Sequence, residues 1–272
     1  MIIIVNIKEG NIVKNTTVDY MKMPGHWVLA NLGKTVLRPG GLEMTKWMLQ
    51  NLHIQPSDTV VEFAPGLGIT AQLTLKKNPF YIAIEQNERA AHKVQQYLSS
   101  ERHQVTIGTA EQTGLDGQMA TIVYGEAMLT MQSPIQKERI IQEAKRILKV
   151  GGLYAIHEMS LTPDSINDHL RNNIRKDLVA AIKVNALPLT VTEWQELLCT
   201  HGFEVEAVQT TPMHLLHPKR LIEDEGLFGV INIAKNVLLN AQARKRVLNM
   251  KATFTKHAEH LQGVCIIARR IH

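Results

Sequence analysis

Cysteine is nearly absent from this chain: Cys199 and Cys265 are its two cysteines in 272 residues. They stand far apart with no Cys-x-x-Cys, which argues against a disulfide scaffold and a zinc knuckle. Aromatic residues make up only 5%, and no basic-aromatic interleave of the kind that tracks nucleic acid stands out. No apolar run approaches the roughly 20 residues of a membrane span. The opening Met1-Ile2-Ile3-Ile4-Val5 is short and has no basic flank, so it does not read as a secretory signal. There are no internal repeats and no low-complexity linkers. What is left is an ordinary globular balance, 44% hydrophobic and 20% charged, enough for a sizeable core. The formal net charge of +5 permits acidic partners without requiring them. A cytoplasmic enzyme is the expectation.

The segment Thr59-Val60-Val61-Glu62-Phe63-Ala64-Pro65-Gly66-Leu67-Gly68-Ile69-Thr70-Ala71 carries most of the information. A short apolar, β-branched run bounded by turn residues suits a parallel strand covered on both faces. Gly66 and Gly68 remove side chains between the backbone and a ligand, and the helix that follows turns its free N–H groups toward a polar group. Gly66 to Ala71 formally matches the Gly-x-Gly-x-x-Gly/Ala dinucleotide pattern. Glu62, at the strand end, opposes that reading. A carboxylate there repels a pyrophosphate but suits the ammonium of an amino-acid moiety.

Downstream, strands and helices alternate. Strands are expected at 80–85, 104–108, 120–126, 153–158, 203–208 and 263–269, and helices at 70–77, 88–98, 164–182 and 192–200. Ser133-Pro134-Ile135-Gln136 supplies an N-cap, a proline at N1 and a capping-box glutamine for another helix. Arg146 and Lys149 suit its C-terminal dipole, and Gly151 its C′ position. Thr192 with Gln195 is read as a second capping pair, and Gly202 as the stop of that helix. Residues 214–258 read as mostly helical, with 227–239 strongly apolar. Ahead of the first strand, a short strand is expected at 2–7. Two Pro-Gly turns bracket a short helix at 27–32, and a further helix runs from Leu42 to Asn51. Alternation over 59–158 predicts βαβ units and a doubly wound parallel sheet, whose ligands bind beyond the strand carboxyl ends. The glycine turn, Glu85, Thr109 to Glu111, Glu126 and His157-Glu158 all fall at those ends.

The acid followed by Ala64-Pro65-Gly66-Leu67-Gly68, the acid Glu85 ending the second strand, and Arg146-Ile147-Leu148-Lys149-Val150-Gly151-Gly152-Leu153 together resemble the class I S-adenosylmethionine (SAM) methyltransferases. Ala64 stands at the family's first glycine, Thr109 at its usual aspartate and Val150 at its usual proline. The resemblance implies an α/β, doubly wound, Rossmann-like, seven-stranded, mostly parallel sheet. Its last strand would be antiparallel and reached through a helical insertion at about 214–258. Residues 1–56 would be a helical N-terminal lid, and 57–272 the SAM-binding domain. It implies SAM as cofactor and S-adenosylhomocysteine as product. Glu62, Ala64, Gly66 and Gly68 would hold the methionine part, with the backbone at Gly125 and Glu126. Glu85 and Gln86 would serve the ribose, and Thr109, Ala110 and Glu111 the adenine.

Methyl transfer to a small molecule is the expected reaction, because Asn/Asp-Pro-Pro-Tyr/Phe, the family's amino-adenine motif, is missing after strand four. Nucleic acid is therefore not the expected substrate. RNA methylation is the alternative, drawing on Arg244-Lys245-Arg246, and a non-catalytic SAM-binding protein is another. His157 is the first candidate base, because histidine titrates near neutral pH. Glu126 and Glu158 are further catalytic candidates. Tyr20 and His26 are candidate bases after His157, as members of the lid; Trp27 and Arg38 are read as lid residues, and Met128 and His214 as substrate-facing. His214 and His217 have no companion acid, so no metal site is expected. Met128, Met131, Met159 and Met213, with 227–239 as a cover, suggest a hydrophobic or aromatic acceptor. The same apolar stretch would also serve as a homodimer surface.

Overall fold

The computed structural model describes residues 19–213 and 218–272. The strand expected at 2–7 and the residues His214 and His217 lie outside the described residues. The elements run α1 (Gly25–Asn31), α2 (Gly41–Asn51), β1 (Thr59–Phe63), α3 (Ile69–Leu75), β2 (Phe80–Glu85), α4 (Glu88–Gln95), β3 (His103–Ile107) and β4 (Ala120–Glu126). They continue with α5 (Pro134–Ile147), β5 (Leu148–Leu161), α6 (Asp168–Ile182), β6 (Leu189–Thr190), α7 (Val191–Thr200), β7 (Phe203–Pro212), α8 (Pro218–Leu239), α9 (Ala241–Lys256) and β8 (Leu261–Arg270).

The sheet order is β3-β2-β1-β4-β5-β8-β7. The first five of these strands pair in parallel, while β8 runs antiparallel between β5 and β7. This is a doubly wound sheet whose order reverses between β1 and β4, so a crevice opens at the carboxyl ends of those two strands. β1, β2 and β4 begin and end where their apolar runs do. The sheet has eight strands rather than seven, because the two-residue β6 pairs with the far end of β5. Two residues carry no periodicity, so such a strand leaves no sequence signal.

Two layers cover the sheet. On one face Ile140, Ile141 and Ala144 of α5 and Trp194 and Leu198 of α7 bury Val123, Ile156 and Ile266. On the other, Met44 and Met48 of α2 and Val94 of α4 bury Ile122, Ala155 and Cys265. A third cluster joins Val28 and Leu29 of α1 to Ile174 and Leu178 of α6 and Met250 and Phe254 of α9. It forms a helical wall above the carboxyl end of β5.

The capping box on α5 forms as expected, with Ser133 and Gln136 satisfying each other's backbone N–H. On α7 the box is Thr190 with Glu193, two residues earlier than Thr192 with Gln195. Both pairs fit the pattern, and the β6 pairing of Thr190 selects the first. Gly151 is not the C′ residue of α5: the chain turns extended at Leu148, and Gly151 (φ +80°) sits where β5 shifts register against β4. A glycine in a bulge needs the same left-handed φ as one after a helix, so the sequence does not separate the two.

Candidate active site

A cleft of about 370 Å³ opens at the carboxyl ends of β1, β2, β4 and β5. The turn after β1 supplies its floor. Ala64 adopts φ +51°, a conformation that favours glycine and costs a residue with a Cβ roughly 1 kcal/mol or more. This explains why a glycine pattern belongs there. A Cβ on Gly66 (φ +55°) would meet only the Ala64 carbonyl at 4.0 Å, so Gly66 faces open space. Gly68 serves packing instead, because a Cβ there would lie 2.8 Å from Tyr97 and its absence admits the Tyr97 ring. Gly68 does not line the cleft, which corrects its reading as a ligand contact.

Glu85 does line the cleft. Its Oε2 accepts the Gly66 N–H at 3.0 Å and its Oε1 the Asn87 N–H at 2.9 Å. The two amides orient the carboxylate and leave each oxygen further lone pairs. Ala64, Gln86, Thr109, Ala110 and Glu111 line the same side. Glu111 is held from behind by Gln136 Nε2 at 3.0 Å.

Glu62 is not in the cleft. It is 3% exposed, and its Oε2 accepts the hydroxyls of Tyr81 at 2.6 Å and Tyr124 at 2.8 Å. Strand alternation turns it onto the sheet face covered by α2 and α4, so the expected direct grip on a ligand is corrected to a support. Burial pushes its carboxyl up to about 7, against the two tyrosine hydrogen bonds, with the Glu126 charge adding to the rise. A folded-state pKa above the unfolded value of 4.5 means the folded state keeps a proton that the unfolded chain has lost. The stability from this group is fully present below pH 4.5 and is lost as pH rises through about 7. The shift corresponds to about 3 kcal/mol. Glu62→Gln is therefore expected to raise stability at about pH 8 by about that much and to leave about pH 5 nearly unchanged, read by urea unfolding at both values.

Glu126 does line the cleft, beside Arg38. Its Oε1 accepts Thr45 Oγ1 at 2.6 Å and faces His157 Nδ1 at 2.7 Å, and Thr70 Oγ1 donates to its Oε2. Burial alone would raise its pKa, but the Arg38 charge and the His157 contact outweigh it and hold the carboxyl at about 2. An acid that strong is a fixed anion and a poor proton acceptor near neutral pH. Arg38 lies 3.4 Å from Glu126 through Nε, an ion-pair distance, yet Nε and Nη2 are buried without a hydrogen-bond partner.

His157 is fully buried and outside the cleft lining. Nδ1 faces Glu126 and Nε2 faces the Pro39 carbonyl, so both nitrogens point at acceptors. It ties the Pro39 turn to β4 and has no free nitrogen for a substrate, so it is not the base. Glu158 lines the cleft but is spent on structure: it accepts the N–H groups of Met128, Leu129 and Thr130 and the Thr130 hydroxyl, between 2.7 and 3.0 Å. Burial raises its pKa in spite of these bonds. Four donors fill the lone pairs of a carboxylate, which removes Glu158 as a base as well.

Another histidine, His26, does reach the cleft. It lines the cleft with Trp27, whose ring centroid is 5.2 Å away. Burial lowers its pKa below 6.5, so the ring is neutral at pH 7. Among the described residues it makes no hydrogen bond. Tyr20 packs on the α1–α6–α9 cluster instead of the cleft, and Gly125 lies within the sheet between Phe63 and Ile156.

The other half of the cleft is apolar. Met128, Met131, Met159 and Met213 all reach it, joined by Met250 and Phe254 of α9 and by Ile182, Val184 and Ala186. The stretch 227–239 does not cover it. Met250 and Phe254 escape a sequence reading because α9 reads as a basic helix, and only tertiary packing selects its buried side. Arg244-Lys245-Arg246 is no continuous basic surface: Arg246 is buried and bonds the Met23 carbonyl, and Arg244 bonds the Leu238 carbonyl.

No family model matches the chain. An uncharacterized protein of Haemophilus influenzae is 34% identical over 250 residues, spanning 89% of this chain and 96% of that protein. Among solved structures, the [4+2]-cyclase SpnF superposes with a TM-score of 0.69 at 13% identity, covering 89% of this chain and 91% of its own. Geranyl diphosphate C-methyltransferase from Streptomyces coelicolor, in complex with Mg²⁺, geranyl diphosphate and S-adenosylhomocysteine, superposes with a TM-score of 0.60 at 15% identity. There the coverage is 84% of this chain and 78% of that one.

Proposed function

Because the chain belongs to one family with the Haemophilus influenzae protein and has the class I SAM-methyltransferase fold, we propose that it is a cytoplasmic SAM-dependent methyltransferase acting on a small, apolar acceptor. The observation that carries the reading is the pairing of Glu85, oriented by the Gly66 and Asn87 amides, with a methionine-lined hollow in one cleft. Fold alone does not decide the reaction, since the neighbours include a cyclase.

The residues present fit the cofactor. Glu85 has lone pairs for two ribose hydroxyls, Gly66 leaves room for the chain of the ligand, and Thr109 to Glu111 frame an adenine. The unpartnered guanidinium of Arg38 suits the cofactor's carboxylate, and ionised Glu126 its ammonium. When bound, SAM supplies a methyl group activated on a sulfonium. The protein's part is to place the acceptor in line with that carbon and to keep water away, which the Met128, Met159, Met213 and Phe254 side chains do. A neutral His26 ring nitrogen takes the proton released by a hydroxyl or amine nucleophile.

The reading is tested by titrating SAM and NADH in a calorimeter, then screening hydrophobic phenols, quinones and amines as methyl acceptors, with RNA as control. Preference for NADH, or no SAM binding, overturns it. With an acceptor in hand, His26→Gln is expected to lower kcat about tenfold or more. It should also abolish the acidic limb of the pH profile, which in the parent rises with pH through a value below 6.5. A profile unchanged by the substitution removes His26 as the base.

A further inference from the structure

Helix α8 carries an exposed apolar stripe along its second half. After Gly226, which breaks the helix with φ +69°, Leu227, Ile231, Leu238 and Leu239 are each about 60–70% exposed and Phe228 is 90% exposed. They fall on one side at helical spacing. The opposite side is mixed: Val237 packs on the α1–α6–α9 cluster, Ile233 lies against Gly33, and Asn236 Nδ2 donates to the Leu32 carbonyl. An ordinary surface helix turns polar residues to solvent, and an exposed apolar stripe of this length marks a contact surface. Among the described residues nothing covers it.

The charge of the same region is one-sided. From Leu227 to Lys256 the sequence holds six basic residues and no acidic one, of which Arg246 is buried and Lys256 pairs with Asp177. Lys235 lies inside the stripe, and α9 adds exposed Lys245 and Lys251 around Leu248, itself 59% exposed. We propose that the second half of α8, with the exposed face of α9, docks on an anionic lipid surface. Leu227, Phe228 and Ile231 enter the boundary between headgroups and acyl chains, and the lysines lie among the headgroup phosphates.

Charge argues for this occupant over a second copy of the chain. Self-pairing would bring two lysine-bearing stripes together with no carboxylate on either to neutralise them. Shape argues for it over another protein, because the stripe is a convex helix face and a flat lipid boundary receives it without a preformed groove. α9 joins the two sites: Met250 and Phe254 on its inner side line the cleft, so an apolar acceptor would have a short path from the bilayer. The docking surface itself does not depend on the methyl-transfer reading.

The proposal is tested by flotation of the full chain with phosphatidylcholine vesicles and with vesicles containing about one quarter phosphatidylglycerol. Binding is expected to be about tenfold or more tighter to the anionic vesicles and to weaken steeply with salt. The variant Leu227→Ser/Phe228→Ser/Ile231→Ser, and separately Lys235→Glu, should each lose about tenfold or more while keeping their circular dichroism and their SAM affinity. Failure to bind, equal binding to both vesicle types, or undiminished binding by the triple variant overturns the proposal. So does a dimer of the parent chain that the triple variant dissociates, because a second copy would then be the occupant. SAM affinity is read separately, so failure here is distinguishable from failure of the methyltransferase reading.

Discussion

Glu85→Ala is expected to weaken SAM binding by about a hundredfold, the largest ligand effect of any single substitution in the cleft. Two hydrogen bonds from hydroxyls to a carboxylate, each worth about 1.5–3 kcal/mol, would be lost together, against about 1.4 kcal/mol per tenfold. The carboxylate also receives the Gly66 and Asn87 amides, so part of the loss comes from a loosened turn. The two parts are separable. 5′-Methylthioadenosine keeps the ribose and lacks the amino acid, so Glu85→Ala should weaken it about as much as SAM. Arg38→Met should weaken SAM and spare methylthioadenosine. Calorimetry of the two ligands against the two variants reads this directly, and an Arg38→Met loss equal for both ligands would reject the carboxylate role.

The largest stability effect is expected at Lys34. Its ammonium is 1% exposed and lies 3.5 Å from Asp224 and 3.3 Å from Glu225, whose side chains are 1% and 3% exposed. Glu225 also accepts the N–H groups of Thr35 and Val36 and the Thr35 hydroxyl, and Asp224 accepts the Leu42 N–H. Lys34→Met would leave two buried carboxylates without a counter-charge, a loss of about 3–5 kcal/mol in unfolding free energy. Adding Asp224→Asn should recover part of it, because one uncompensated charge is then removed. Urea unfolding of the parent, the two single variants and the double variant closes the cycle. The same network anchors the loop that carries Arg38 and Pro39 into the cleft, so SAM affinity should fall with stability in Lys34→Met.

Much of the fold is legible along the chain. The runs at β1, β2 and β4 are short, apolar and closed by turn residues, so their limits are local facts. Ser133, Pro134 and Gln136 fix the start of α5 by hydrogen bonds within one turn. The proposed cofactor half of the site follows from the same locality, because each doubly wound strand delivers its carboxyl end to one crevice. That is why Glu85, Glu126 and the Thr109–Glu111 loop meet.

The chemistry of each group is not legible in that way. Glu62, Glu126, His157 and Glu158 are all expected at strand ends, and from sequence they are interchangeable as ligands or bases. Only the packing separates them: burial raises Glu62 against its tyrosine partners, Arg38 holds Glu126 ionised, and His157 and Glu158 are consumed by backbone groups and, for His157, by Glu126. The partners come from residues up to 118 positions apart, as for His157 and Pro39. The apolar run 227–239 shows the same limit. Its sequence says that a hydrophobic face exists, but not whether it turns inward over the cleft or outward. Thus the sequence by itself determined the order of strands, the glycine turn and the position of the crevice, since these rest on local backbone preference and alternation. The protonation of the buried carboxyls, the place of His26 in the cleft and of His157 outside it, and the outward face of α8 were decided by tertiary structure alone, because burial and charge pairing are properties of neighbours in space.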